Sequence, residues 1–159
     1  MIDEETMPLE MLNLLQEFKE KISLEKDLHP SDYSEKDVQL LYTIAHKYYS
    51  NGAYMEAETF FLRLVLSRAT EIIYWRGLGS CYQMQKKYAN ALTIWGMCAS
   101  IDNNDISYHL YGAECLIHLN QIDQAKLALN HVRGSITKEH PTYQKYEKVK
   151  NLIDQGVSY

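Results

Sequence analysis

Six histidines, three cysteines and 21 acidic residues are the side chains of this sequence that could hold a metal, move a proton or attack an electrophile. Cys115 and His118 stand one helical turn apart, but two ligands with no second pair at a familiar spacing do not close a zinc site, so no metal is expected. Glu56 and Glu58 suggest an acid/base pair until they are placed on a helix, where neighbours two apart point about 200° away from each other. There is no Gly-x-Ser-x-Gly elbow, no Gly-rich phosphate loop and no His-Glu-x-x-His. The chain therefore reads as a non-enzyme with no catalytic residue and no cofactor. Cys81, Cys98 and Cys115 are odd in number and show no close pair, and at helical positions they read as small buried thiols.

What remains is recognition, and the elements that would present it repeat. Ala57, Ala91 and Ala125 are 34 residues apart, as are Ala45, Gly79 and Ala113. Trp75, Leu78, Gly79 and Tyr82 match W-x2-L-G-x2-Y, and Ala91 with Trp95 matches A-x3-F with another aromatic, the tetratricopeptide signature. The expected fold is all-α: three helix hairpins over 38–71, 72–105 and 106–139, one domain in all. First helices are expected near 35–51, 72–85 and 105–119, and second helices near 54–68, 88–101 and 121–134. Ser34 and Asp37 form a shortened capping box at the start. Gly52 supplies a left-handed stop that Asn120 can imitate and Lys86 imitates less readily. Gly77, Gly79, Gly96 and Gly112 inside helices imply close approach of neighbouring elements.

Two flanking helices complete the reading. Over 8–33, Met11, Leu15, Phe18 and Ile22 make the apolar stripe of an amphipathic helix and its connector. Over 141–157, Tyr143, Tyr146, Val149 and Ile153 share one face of a capping helix, with Lys145, Lys148 and Lys150 on its charged side.

In such an array the first helices line the inner surface. Counting from Val38, Ile72 and Ile106, the second, fifth, ninth and twelfth positions face inward. They are Gln39, Tyr42, His46 and Tyr49, then Ile73, Arg76, Ser80 and Gln83, then Ser107, Leu110, Glu114 and Ile117. Aromatic and aliphatic groups beside hydrogen-bonding ones suit an extended peptide, whose side chains need pockets and whose backbone needs partners. The other reading is that Tyr42 and Tyr49 cover a neighbouring helix. A net charge of −5 gives no electrostatic reason to expect nucleic acid or an anionic membrane. No apolar run reaches membrane-spanning length, and the N-terminus lacks a secretory pattern.

Particular residues resemble a known family. Ala45, Tyr48, Tyr49, Gly52, Glu56-Ala57-Glu58 and Phe60-Phe61 are similar to A-x-x-(F/Y)-Y-x-x-G-x-x-x-E-A-E-x-F-F. Tyr74, Gly77, Leu78, Tyr82 and Gln83 are similar to Y-x-x-G-L-x-x-x-Y-Q, and Ala113-Glu114-Cys115 and Ala125-Lys126 continue the match more weakly. This pattern resembles the class II chaperones of bacterial type III secretion, which escort hydrophobic translocator proteins. The resemblance implies a bacterial cytoplasmic chaperone whose groove takes an extended client segment, often Pro-x-Leu-x-x-Pro, at Tyr42, Tyr49, Gln83, Leu110 and Ile117. It also implies a homodimer formed through the N-terminal helix in some members, so the stripe of Met11, Leu15, Phe18 and Ile22 is expected to serve either as a dimer interface or as packing against the first repeat. His46 in place of an aromatic residue, Arg76 in place of an apolar one and the inverted Leu62-Arg63 order depart from it. A chaperone of needle or filament subunits and a non-chaperone peptide-binding scaffold are the alternatives.

Overall fold

The computed structural model describes residues 32–155, which are helical throughout, with no strand among them. Seven helices follow in order: α1 (Glu35–Ser50), α2 (Tyr54–Ser67), α3 (Ile72–Met84), α4 (Tyr88–Ile101), α5 (Ser107–His118), α6 (Ile122–Arg133) and α7 (Tyr143–Asp154). The stripe of Met11, Leu15, Phe18 and Ile22 lies outside the described residues. The helices divide into two compact units between Cys81 and Tyr82, within α3.

Local sequence accounts for the starts and stops. Ser34 and Asp37 form the capping box: the Asp37 amide donates to Ser34 Oγ at 3.3 Å, and the Ser34 amide donates to Asp37 Oδ2 at 2.9 Å. The hairpin turns repeat one device. Gly52, Lys86 and Asn120 all take positive φ, at 79°, 60° and 59°. The residue after each donates to the carbonyl five back, Ala53 to Tyr48, Lys87 to Tyr82 and Gln121 to Leu116, at 3.0, 2.9 and 2.8 Å. This is the Schellman closure, which pairs carbonyls that the helix end would otherwise leave open. Lys86 adopts it despite its Cβ, so the hairpin geometry overrides a local preference worth about 1–2 kcal/mol.

In the first unit α1 packs on α2 through Leu41, Ile44, Ala45, Ala57, Phe61 and Leu64, all buried. Alanines at the crossing let the helices approach closely. Arg68, at the end of α2, donates to the Tyr33 carbonyl at 3.0 Å and pairs with Glu35 at 2.8 Å, tying the end of the hairpin to its beginning. Trp75 donates to the Ala69 carbonyl at 2.7 Å and anchors the turn into α3.

In the second unit α5 is enclosed by α4, α6 and α7. Tyr146, Val149 and Ile153 of α7 join Leu110, Ala113, Leu116, Ile117, Ala125, Leu129 and Val132 in one core cluster, with Tyr143 packed against it. The apolar face read for the last helix is therefore buried as expected. Its charged side is not simply solvated, because Lys145 and Lys148 both bind Glu114.

The glycines separate into kinds. A Cβ on Gly77 would fall 2.2 Å from Phe61 Cε1, so this glycine is required by the ring lying across it. Gly96 has nothing within 4 Å of the same point, and Gly112 meets only Leu92 Cδ1 at 3.5 Å, an ordinary contact. For those two, close approach is not the reason.

Candidate functional site

A cavity of about 260 Å³ opens in the first unit. Tyr42, His46 and Tyr49 line it from α1, Phe61 from α2, and Ile73, Arg76, Gly77 and Ser80 from α3. Helical periodicity does the positioning: 42, 46 and 49 recur every three or four residues along one face of α1, as do 73, 76, 77 and 80 along α3. Six of the residues read as inward-facing thus meet at one place. A shallower hollow continues along α1 past Gln39, Thr43, Lys47 and Ser50.

The aromatic wall is braced. Tyr42 meets Phe61 edge-on, with centroids 6.3 Å apart and planes at 75°, and lies 5.7 Å from Tyr74. Tyr49 meets Tyr54 edge-on at 5.3 Å. Such contacts hold the rings in place, so a ligand would meet a preformed apolar surface. His46 is held from its own helix, its Nδ1 lying 3.4 Å from Ser50 Oγ. The Tyr74 hydroxyl titrates above its ordinary value, first through burial and then through the nearby Glu71 charge. It remains protonated, and neutral, at physiological pH.

The remaining inward candidates are placed differently. Leu110 and Ile117 are 0% and 2% exposed and belong to the core with α6 and α7, so neither can line a groove. Ser107 is also buried. The physical reason is packing: α6 and α7 both lie against α5, and their apolar residues share one core with Leu110 and Ile117. Glu114, 5% exposed, is bound by Lys145 Nζ and by Lys148 Nζ at 2.9 Å, and it accepts a hydrogen bond from Gln83 Nε2 at 2.5 Å. Gln83 Oε1 in turn accepts from Trp95 Nε1 at 3.0 Å. Gln83 and Glu114 are therefore members of an internal polar network. Burial alone raises the Glu114 carboxyl, but the two lysine hydrogen bonds and charges outweigh it and leave the group below the usual carboxylate range.

The chemistry available elsewhere is slight. Burial pushes the Cys81 and Cys115 thiols up to about 12, leaving them protonated and poor nucleophiles. His118 stacks on Tyr88 at 4.1 Å with planes 5° apart, and burial lowers its titration. Among the described residues no three His, Cys, Asp or Glu side chains gather as a metal site. No helix among them is long and apolar enough to cross a membrane.

No family model matches the chain. The low calcium response locus protein H of Yersinia pestis is 25% identical over 99 residues, which span 62% of this chain and 59% of that protein. The type III secretion chaperone SycD of Yersinia enterocolitica, solved with a peptide of the translocator YopD, superposes with a TM-score of 0.69 at 22% identity, over 77% of this chain and 93% of that one. The chain has the SycD fold. PcrH from Pseudomonas aeruginosa superposes with a TM-score of 0.65 at 23% identity, over 77% of this chain and 93% of that one. PcrH bound to the chaperone-binding region of PopD gives 0.68 at 22%, over 79% and 97%. The all-helical repeat architecture expected from the 34-residue spacing is thus shared with chaperones of the kind that the motifs resemble.

Two residues of the cavity were not among the inward-facing positions. Phe61 sits on a second helix, outside a count restricted to first helices, and Gly77 has no side chain to count. A mid-helix glycine, which costs about 1 kcal/mol, was the available signal, but Gly96 and Gly112 carry the same signal with no ring across them, so it did not single out Gly77 and Phe61.

Proposed function

We propose that this protein is a chaperone for type III secretion translocators, holding an extended apolar client segment in the cavity between α1 and α3 and keeping the client soluble before export. The observation that carries this reading is the convergence of Tyr42, His46, Tyr49, Ile73, Arg76 and Ser80 on one preformed aromatic cavity. The co-crystallised peptide of SycD and client region of PcrH support it from proteins of the same fold. An extended, proline-rich segment loses little conformational entropy on binding, and a rigid aromatic wall loses little as well, so neither partner need reorganise. The function is binding without turnover, in keeping with a sequence that carries no catalytic motif. The place of action is the bacterial cytoplasm, where clients await export. The helices act as one folding domain, and the stripe of Met11, Leu15, Phe18 and Ile22 is the candidate surface for a homodimer.

Co-expression with the translocators encoded nearest to this chain tests the reading. A stable complex on size-exclusion chromatography, and clients that precipitate when the protein is left out, are the expected results. Clients equally soluble and abundant without it, with no complex surviving the column, would overturn the chaperone function.

A further inference from the structure

Arg76 stands on the wall of the cavity, exposed, and makes no ion pair or hydrogen bond among the described residues. Around it the described lining is apolar, neutral polar or cationic. Tyr42, Tyr49, Phe61 and Ile73 supply hydrocarbon, His46 an imidazole and Ser80 a hydroxyl, while the adjoining hollow adds Lys47, a second cation, and the neutral polar groups of Gln39, Thr43 and Ser50. Among the described residues no carboxylate lines either space, although acidic residues outnumber Lys and Arg by 21 to 16 over the whole sequence. A wholly apolar client segment laid over this cavity would shield an unpaired guanidinium from water, and burying a charge without a partner is costly.

Resting on the chaperone reading above, we propose that the client segment carries an aspartate or glutamate side chain beside its apolar anchor, and that Arg76 pairs with that carboxylate. Arginine suits the task because its planar fork donates two parallel hydrogen bonds to a carboxylate and is only weakly hydrated, so little is lost when the client covers it. The aromatic cavity takes the anchor, and Arg76 sets which anchors are accepted. The preference is for an acidic–apolar pair over an apolar residue alone. The source of the carboxylate is a side chain within the segment, because an extended client passing through the cavity has no chain end there.

The test uses four fluorescein-labelled peptides, blocked at both ends, with the sequence Ser-Ala-Pro-x-Leu-x-x-Pro-Ser-Ala. One carries Asn at all three x positions, and each of the others carries one Asp in their place. Fluorescence anisotropy against the full chain should show at least one Asp peptide binding about tenfold tighter than the all-Asn peptide at low salt. The preference should shrink in 0.5 M NaCl, where exposed charges are screened within a few ångströms. Arg76→Gln should bring the ratio close to one, and Arg76→Glu should reverse it for peptides carrying Lys in place of Asp, which separates a charge effect from damage to the fold. Four peptides that bind alike, or a preference that survives Arg76→Gln, would overturn the pairing while leaving the groove standing. If the all-Asn peptide with a free C-terminus matches the best blocked Asp peptide, and does so through Arg76, the carboxylate is the chain end and the side-chain proposal fails. Failure of all four peptides to bind would instead remove the groove reading on which the proposal rests.

Discussion

Replacing Glu114 by glutamine changes one atom and should destabilise the second unit severely. The carboxylate is 5% exposed and accepts from Gln83, Lys145 and Lys148. Glutamine retains one acceptor oxygen and turns an amide N–H₂ toward groups that themselves donate. Removing one member of a buried ion pair costs about 3–5 kcal/mol. The lower part of that range or less applies here, because Lys148 has 62% of its side chain exposed and can turn to water, whereas Lys145, at 23%, cannot fully do so. A loss of about 2–3 kcal/mol follows, or roughly 4–12 °C in melting temperature for a chain of this size. Lys148→Ala should cost only about 0.5 kcal/mol, the worth of an exposed pair, with Lys145→Ala between the two. Trp95 reports directly, since its indole donates to Gln83, which donates to Glu114. Urea unfolding followed by tryptophan fluorescence in a Trp75→Phe background reads that unit. The pH dependence carries a sign as well. Glu114 titrates lower folded than unfolded, so its contribution is present above the unfolded value near 4.3 and is lost as pH falls through the folded one. The gap between the wild-type protein and Glu114→Gln should be full near neutrality, start to narrow as the pH falls below the unfolded value, and close as it falls through the folded one. A Glu114→Gln loss under about 0.5 kcal/mol, or a Lys148→Ala loss that exceeds it, would refute the reasoning.

Three further substitutions follow from local packing and backbone geometry. Gly77→Ala should destabilise by about 1–2 kcal/mol, because a methyl 2.2 Å from Phe61 forces the ring to move and the cost of overpacking exceeds the gain in helix propensity. Gly96→Ala, with open space at the same atom, should stabilise by about 0.5–1 kcal/mol; urea midpoints moving in the same direction would contradict the packing account. Lys86→Gly should raise stability by about 0.5–1 kcal/mol by relieving a left-handed residue at φ 60°, and a lower urea midpoint for this variant would show that its side chain matters more than its backbone.

Much of this architecture was legible before any coordinates. The 34-residue spacing set the hairpins, and the ends of their six helices fell within two residues of expectation, because small residues at crossings and turn residues at equal intervals are local signals. The inner face was legible only where the repeat has a successor. For Tyr42, His46, Tyr49, Ile73, Arg76 and Ser80 the periodic count located the cavity lining. It did not for Gln83, which is held in the internal network, nor for the buried Leu110, Glu114 and Ile117, where the element following the last hairpin is α7 and not another repeat. A periodic rule treats every copy alike and cannot register that substitution. A trace of it was present in Lys145 and Lys148, three apart on one helical face and matched to a single acidic residue between Leu110 and Ile117. Phe61 escaped for a related reason: the cavity draws one wall from a second helix, which the count leaves out.

The claim that the client lies in the cavity between α1 and α3 is tested most directly by placing a photoreactive benzoylphenylalanine at Ile73, which is 43% exposed on the cavity wall, and irradiating cells that co-express the translocators. The predicted result is a covalent adduct whose mass spectrum maps to an extended apolar client segment. The same amino acid at Met55, 70% exposed on α2 and outside the lining, should give none. An adduct at Met55 with none at Ile73 would contradict the account.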